Sequence, residues 1–471
     1  MAKAADIPLD ISKGHIAINT NAGSYTVGDS VATLFDTVTN NLVISQSGTG
    51  STINTITVTG ITPINIMLSG VNIDVSATSY ACAFDMTGAT VNLTIAGTNT
   101  LKSSYSRAGL QVSSNATLTI NAAKGTEDSL TTNGGFYGAG IGGGDSASGN
   151  ITINGGTVNA QGGYHAAGIG GGRNSAGGNI TINGGMVNAQ GSTEGAGIGG
   201  GHRGSGQNTT INGGTANARG GFYAAGIGGG TSGAGGAIVI SGGAVTAIGG
   251  VNDLAVFGTG GGAGIGSGGN CGVTGNITVA GNAAVEAIGG AGGGAGIGTG
   301  GNDGSGWQAG RIIIPGKVIS TGTPVAREVK AVGTADYGEY GQGPAIGFGG
   351  VNEGGPDAGE GKPIPYETTA TYYTVAISAG AGTNVGGVIT AFPASNHPAQ
   401  VPHGANQTFK ITPNTGYKIV SVTVDGVNVG AVTSWTIPNI TDNTRTITAA
   451  FALIAAVTDT PANVSAASSG I

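Results

Sequence analysis

Charge is what this chain most lacks. Only 8% of its 471 residues are charged, against about 25% in an ordinary soluble domain. The 16 basic residues are scattered, and 23 acidic ones bring the formal net charge to −7. With no basic stripe to track a phosphate backbone, nucleic acid is excluded as a partner. No apolar run reaches the roughly 18 residues of a membrane-spanning helix, so no membrane span is expected. The two cysteines, Cys82 and Cys271, fall in distant segments, which argues against a disulfide. Cys82, inside Tyr80-Ala81-Cys82-Ala83-Phe84, reads as a small core residue. Cofactor motifs are missing too: there is no GK[ST], no HExxH and no His/Cys spacing suited to zinc. Gly138–Gly143 matches G-x-G-x-x-G but opens no helix, as dinucleotide binding requires. The nonapeptide Ca²⁺ repeat fails because Arg173, His202 and Thr231 stand where Asp145 would need acidic equivalents.

Glycine, by contrast, is abundant, with 99 residues. Collagen would need a strict G-X-Y period and far more than the 14 prolines present. Disorder is excluded because 38% of the chain is apolar and the apolar positions are periodic. Phe136–Gln161 reads FYGAGIGGGDSASGNITINGGTVNAQ, and Tyr164–Gln190, Glu194–Arg219 and Phe222–Ile248 repeat it. Ile153, Ile182, Ile211 and Ile240 recur 29 residues apart. A fixed period of this length means stacked supersecondary units. Each period holds three short alternating runs (AGIGG, NITIN, TVNAQ) separated by Gly, Asn and Ser, with no stretch long enough for a helix. The predicted fold is all-β: a right-handed parallel β-helix of about 29 residues per coil. The GIG isoleucines continue at Ile141, Ile169, Ile198, Ile227, Ile265, Ile297 and Ile346. Upstream, Val91–Ile95 and Ala116–Ile120 are older-looking NITIN elements, and Ile64–Ile73 with Ala81–Met86 are degenerate turns. The solenoid is therefore assigned to residues 1–350.

Stacking also accounts for the missing charge, since a charge in a repeat would lie about 5 Å from its own copies. Neutral columns are favoured instead. Asn150/Asn179/Asn208, Asn154/Asn183/Asn212 and Asn159/Asn188/Asn217 predict structural amide ladders. Ahead of each AGIG element stand two mostly bulky residues, giving the columns Phe136/Tyr164/Thr193/Phe222 and Tyr137/His165/Glu194/Tyr223. One column should face solvent, and Tyr137, His165 and Tyr223 are expected there. A rigid row of rings with one His and one Glu suits sugars, which stack on ring faces and bond polar tips. The alternative is that both columns sit in a turn and cap the core or a protomer contact.

The texture changes near residue 366. A Gly/Pro-rich acidic linker, 351–365, precedes a second all-β module, 366–453, and an Ala/Ser/Thr-rich tail, 454–471. Glu353, Asp357 and Glu360, with Asp336 and Glu339 before them, are oxygen ligands of the kind Ca²⁺ takes. A solvated loop blunting the solenoid end is the competing reading. Ala2-Lys3-Ala4 ahead of Ala5-Asp6 looks like the small-residue end of a secretory cleavage site. A chain kept in the cytoplasm, such as a phage structural protein, stays open as the opposite reading.

The segments DIPLDISKGHIAI, LSGVNIDVSATSYACAFDM, VNLTIAGTNTLKSS and the AGIGGG…GNITINGGTVNAQGG coils resemble the β-helical repeat regions of Gram-positive, mainly clostridial, surface proteins of the carbohydrate-binding-domain type. Gly416–Gly426, with Ile447–Phe451, is similar to a divergent internalin-B-type repeat. Together the resemblances imply an extracellular, cell-surface protein that binds polysaccharide or glycan beside the cell wall without catalysis. A structural subunit of a filament, surface coat or phage fibre, with self-association, is the second expectation. A polyuronide lyase or hydrolase is the third. It is disfavoured because Asp145, Glu194, Asp253, Glu286 and Asp303 fall on different faces or distant rungs.

Overall fold

The computed structural model describes residues 5–37, 40–251, most of 260–301, short strands as far as Gly347, and most of 372–454. The chain divides into two compact units, Met1–Thr369 and Ala370–Ile471.

The first unit is a parallel β-solenoid built around three long sheets, with a small two-stranded sheet of Val273–Thr274 and Gln308–Ala309 beside them. Sheet 1 stacks 11 strands, from Ala5–Asp10 through Asn150–Ile153, Ile180–Ile182 and Asn208–Ile211 to Ile312–Ile313. Sheet 2 holds the 10 strands of the TVNAQ type, among them Thr157–Gln161, Met186–Gln190 and Thr215–Arg219. Sheet 3, from Ile141–Gly142 onward, is made of two-residue Ile-Gly strands such as Ile169–Gly170, Ile198–Gly199 and Ile227–Gly228, and continues towards the N-terminus through Leu110–Gln111, Phe84–Asp85, Ile56–Thr59 and Ile16–Asn19. Strands pair with their equivalents in adjacent coils, so Ile153, Ile182, Ile211 and Ile240 lie in one register. The GIG isoleucines form another, from Leu110 through Ile141 to Ile346. At the N-terminal end, Ser24–Val27 runs antiparallel beside Ile16–Asn19, and Thr33–Leu34 runs antiparallel beside Ser24–Val27 in turn, extending the edge of sheet 3.

Two-residue alternation decides which side chains go inside. In Ile180-Thr181-Ile182 the isoleucines are buried and the threonine lies between them on the outer face. Ile153, Ile182, Ile211 and Ile240 are each 0% exposed. On the outer face the amide ladders form as predicted. Asn179 Nδ2 donates to Asn150 Oδ1 at 2.9 Å, Asn183 to Asn154 at 2.8 Å and Asn188 to Asn159 at 2.8 Å. The next coil repeats all three bonds from Asn208, Asn212 and Asn217. Asn212 Oδ1 then accepts from the Ser241 hydroxyl at 2.9 Å.

Sheet 3 depends on glycine. Gly170, Gly199 and Gly228 take φ of +132°, +136° and +133°, where side chains are strained. A Cβ on Gly199 would lie 2.0 Å from the carbonyl oxygen of Gly228 in the next coil. Backbone therefore packs directly on backbone at this corner, and the abundance of glycine follows. Both cysteines are free. Cys82 Sγ donates to the Ala108 carbonyl, and burial pushes its thiol up to about 12.

The second unit contains a four-stranded sheet of Ala376–Ala379, Thr446–Leu453, Tyr417–Val424 and Val427–Gly430, and a three-stranded sheet of Gly387–Phe392, Ala405–Pro413 and Ser434–Ile440. Its core centres on Phe409, Ile411, Val422, Ile437, Ile440 and Ile447. Asp425-Gly426, both at positive φ (48° and 80°), turns the hairpin. The Asp425 carboxylate accepts from Arg445 Nε and the Thr446 N–H, each at 2.8 Å. The linker at 351–365 and the tail beyond Ile454 lie outside the described residues.

Two substitutions test the stacking. Ile182→Asp puts an unpaired charge into the isoleucine column and should abolish cooperative folding of the neighbouring coils, read by circular dichroism. Ile182→Val should cost only about 0.5–1.5 kcal/mol. Gly199→Ala should cost on the order of 1–3 kcal/mol from backbone strain alone, with the carbonyl contact added, measured by thermal melting.

Candidate functional site

The sheet 3 strands are so short that the loops on either side of them come together. One loop carries the residue pair ahead of AGIG; the other carries the column Asp145/Arg173/His202/Thr231. Backbone bonds hang the second loop of each coil on the first loop of the coil before it. Asp145 N–H donates to Ser106 O at 3.2 Å, Arg173 to Tyr137 at 3.0 Å, His202 to His165 at 2.8 Å and Thr231 to Glu194 at 3.0 Å. The columns Tyr137/His165/Glu194/Tyr223 and Asp145/Arg173/His202/Thr231 thus stand side by side, offset by one coil.

The outward column is not the expected one. Tyr105, Phe136, Tyr164 and Phe222 are 43%, 46%, 40% and 40% exposed, whereas Tyr223 is 5% exposed. Tyr137, His165 and Glu194 are half-buried. These residues lie in a turn rather than on a strand, so strand alternation does not apply. His165 and Tyr223 adopt left-handed φ (65° and 62°), which folds the chain back there. The outer rings form a ladder. Tyr105 and Phe136 stack at 5.7 Å and 7°, and Phe136 and Tyr164 at 5.0 Å and 17°. Thr193 then interrupts the column before Phe222. Two rungs separate Tyr164 from Phe222, or roughly 10 Å at ~4.8 Å per coil. Rings inside the ladder cover one another's faces, whereas the break leaves no ring between Tyr164 and Phe222 at the level of Thr193.

The inner columns carry the polar chemistry. The Arg173 guanidinium lies 3.7 Å from the Tyr137 ring centroid and pairs with Asp145 through two bonds, at 3.2 and 2.9 Å. One coil on, His165 Nδ1 contacts Glu194 Oε2, and His202 Nδ1 reaches the same oxygen at 3.1 Å. The two imidazole centroids are 5.0 Å apart, and the His165 ring lies 3.9 Å from that of Tyr164. Burial holds His165 below the ordinary histidine range, outweighing the opposite pull of Glu194. For Glu194 burial pushes upward, but His202, His165 and Arg203 together leave the carboxyl below its usual range.

His202 was legible in the sequence only as a failed calcium position, and no local His/Cys spacing pointed to its meeting with His165 and Glu194. The spacing of 29 residues from His165 to Glu194 and eight to His202 acquires meaning only through the coil period. Among the acids weighed for catalysis, Asp145 is tied to Arg173 and Glu286 is paired in register with Lys330 on sheet 2. Asp253 and Asp303 lie outside the described residues, as do Asp336, Glu339 and the calcium candidates Glu353, Asp357 and Glu360. A separate open groove over sheet 2 is lined by Asn159, Asn188 and Asn217 with Gln161, Gln190 and Arg219.

A family model described as the beta helix repeat matches residues 151–173, 180–202 and 210–231, three successive coils that include the histidine–glutamate cluster. No curated protein and no solved structure matches the chain.

The difference between the columns is measurable. Tyr223→Ala should destabilise the solenoid by about 3 kcal/mol, as loss of a buried aromatic does. Phe222→Ala, beside it but outward, should fall within about 1 kcal/mol of the parent in denaturant melts.

Proposed function

We propose that this is a non-catalytic, exported surface protein whose solenoid displays a binding site for polysaccharide or glycan. The observation that carries this reading is the break in the aromatic ladder. A pyranose placed between Tyr164 and Phe222 would meet a ring on each side, since roughly 10 Å is about two stacking distances. Thr193 lies at the same level, and Glu194 reaches His165, whose ring abuts Tyr164, so hydroxyl partners border the slot. The groove of side-chain amides over sheet 2 offers a polar surface on which a longer chain could lie. The clostridial surface-protein resemblance and the internalin-like module favour the same assignment, with the second unit as a spacer toward the cell wall.

Exposed apolar side chains in the first coils favour a second reading, self-association into a filament or coat. Val31, Leu34 and Ile61 are 89%, 77% and 77% exposed. Sedimentation velocity separates the two: a monomer that binds glycan supports display, and concentration-dependent fibres without glycan binding support the subunit.

The slot is tested on a glycan array and by affinity electrophoresis. Tyr164→Ala with Phe222→Ala should weaken binding roughly ten- to thirty-fold while the melting point barely moves. Thr193→Phe should complete the ladder, abolish binding and leave the fold intact. Undiminished binding in both variants would refute the slot.

A further inference from the structure

We infer that His165, Glu194 and His202 bind one divalent transition-metal ion of the imidazole-preferring class, represented by Zn²⁺. The inference does not rest on the glycan reading. The three ligand atoms all lie within 4.8 Å of one another. An ion about 2.0–2.2 Å from each ligand fits between atoms at that separation after small side-chain rotations. Both histidine Nδ1 atoms are buried and make no hydrogen bond of acceptable geometry, although they face the Glu194 carboxylate. Two buried nitrogens crowded onto one carboxylate oxygen without good hydrogen-bond geometry are costly in a folded interior unless something satisfies them. A cation does so, and the carboxylate supplies its countercharge.

The surroundings agree with this choice. The nearby Arg173 is held by Asp145, so its charge is already balanced. The loops bearing the ligands are fixed to each other by the His202 N–H to His165 O bond at 2.8 Å, so the site is preorganised. One coil earlier the same positions hold Tyr137 and Arg173, and one coil later Thr231 stands beside Glu194. The ligand set therefore occurs at a single level among the described residues. Two imidazoles and one carboxylate suit Zn²⁺ and its first-row neighbours, and are poor for Ca²⁺ or Mg²⁺, which prefer all-oxygen shells. Three protein ligands leave a position for water or for an oxygen of a bound molecule. Because His165 belongs to one coil and the other two ligands to the next, the ion would also pin neighbouring coils.

The test is titration calorimetry of the full, tag-free chain after chelator treatment, with ZnCl₂ and CaCl₂ as probes. One Zn²⁺ per chain should bind, and Ca²⁺ should give no heat at this site. His165→Ala, His202→Ala and Glu194→Gln should each weaken Zn²⁺ binding on the order of 10–100-fold or more, since loss of even an outer partner costs that much. His15, His397 and His403 remain in every variant as an internal control. Unchanged Zn²⁺ affinity in the double variant His165→Ala/His202→Ala would place the ion elsewhere and overturn the inference. If the variants lose the β-sheet signal in circular dichroism, the wild type decides alone. Its Cu²⁺ complex should show two coordinated imidazole nitrogens by electron paramagnetic resonance, and a spectrum without them overturns the site. A wild-type chain that binds Zn²⁺ at this site but binds no glycan would sink only the earlier proposal.

Discussion

In this solenoid every residue must tolerate its own copy as nearest neighbour, one coil above and one below. That constraint explains the composition better than any propensity. Isoleucine on isoleucine fills the interior, asparagine on asparagine satisfies its own amide, and glycine on glycine allows two backbones to touch. Charge cannot be stacked in this way without repulsion, so it is almost absent from the regular faces. Some of the exceptions are paired across coils, as Arg173 is with Asp145 and Lys102 with Asp74.

Chemistry then belongs where the repetition breaks. The strict columns are saturated: their hydrogen bonds and ring faces are used up by their neighbours. At Thr193 the ring ladder stops, and at Glu194 an acid replaces the ring found one coil later in Tyr223. These two adjacent substitutions in one coil create both a gap on the outer surface and an acidic partner for two histidines beneath it. The repeat supplies a rigid frame, and the departures from it supply the site.

The fold was readable from the sequence because its period is carried by residues that do nothing but stack. Ile141 through Ile346 could be aligned by eye, and the structure pairs them in that order. The irregular early turns were readable too, since Leu93 and Ile120 keep the alternation and fall in the same column as Ile153. The site was less legible. Which of two adjacent turn residues faces outward depends on local dihedrals, and the left-handed φ of Tyr223 reverses the expectation drawn from strand alternation. His202 sits on the far side of the Ile198-Gly199 strand from Glu194, and only the tight return of the chain around that strand brings them together.

The asparagine columns have a direction. Each Nδ2 points toward the coil before it and each Oδ1 toward the coil after it, without exception from Asn154 and Asn121 to Asn217 and Asn188. Rotating one amide would set nitrogen against nitrogen on one side and oxygen against oxygen on the other, so a column turns as a whole or not at all. Its aligned dipoles add along the solenoid axis, much as peptide dipoles add along a helix. Such a chain needs a terminator at its oxygen end, and in the Asn121–Asn212 column the Ser241 hydroxyl supplies it by donating to Asn212. Ser241 is to that column what a capping side chain is to a helix: the residue that tells the ladder where to stop.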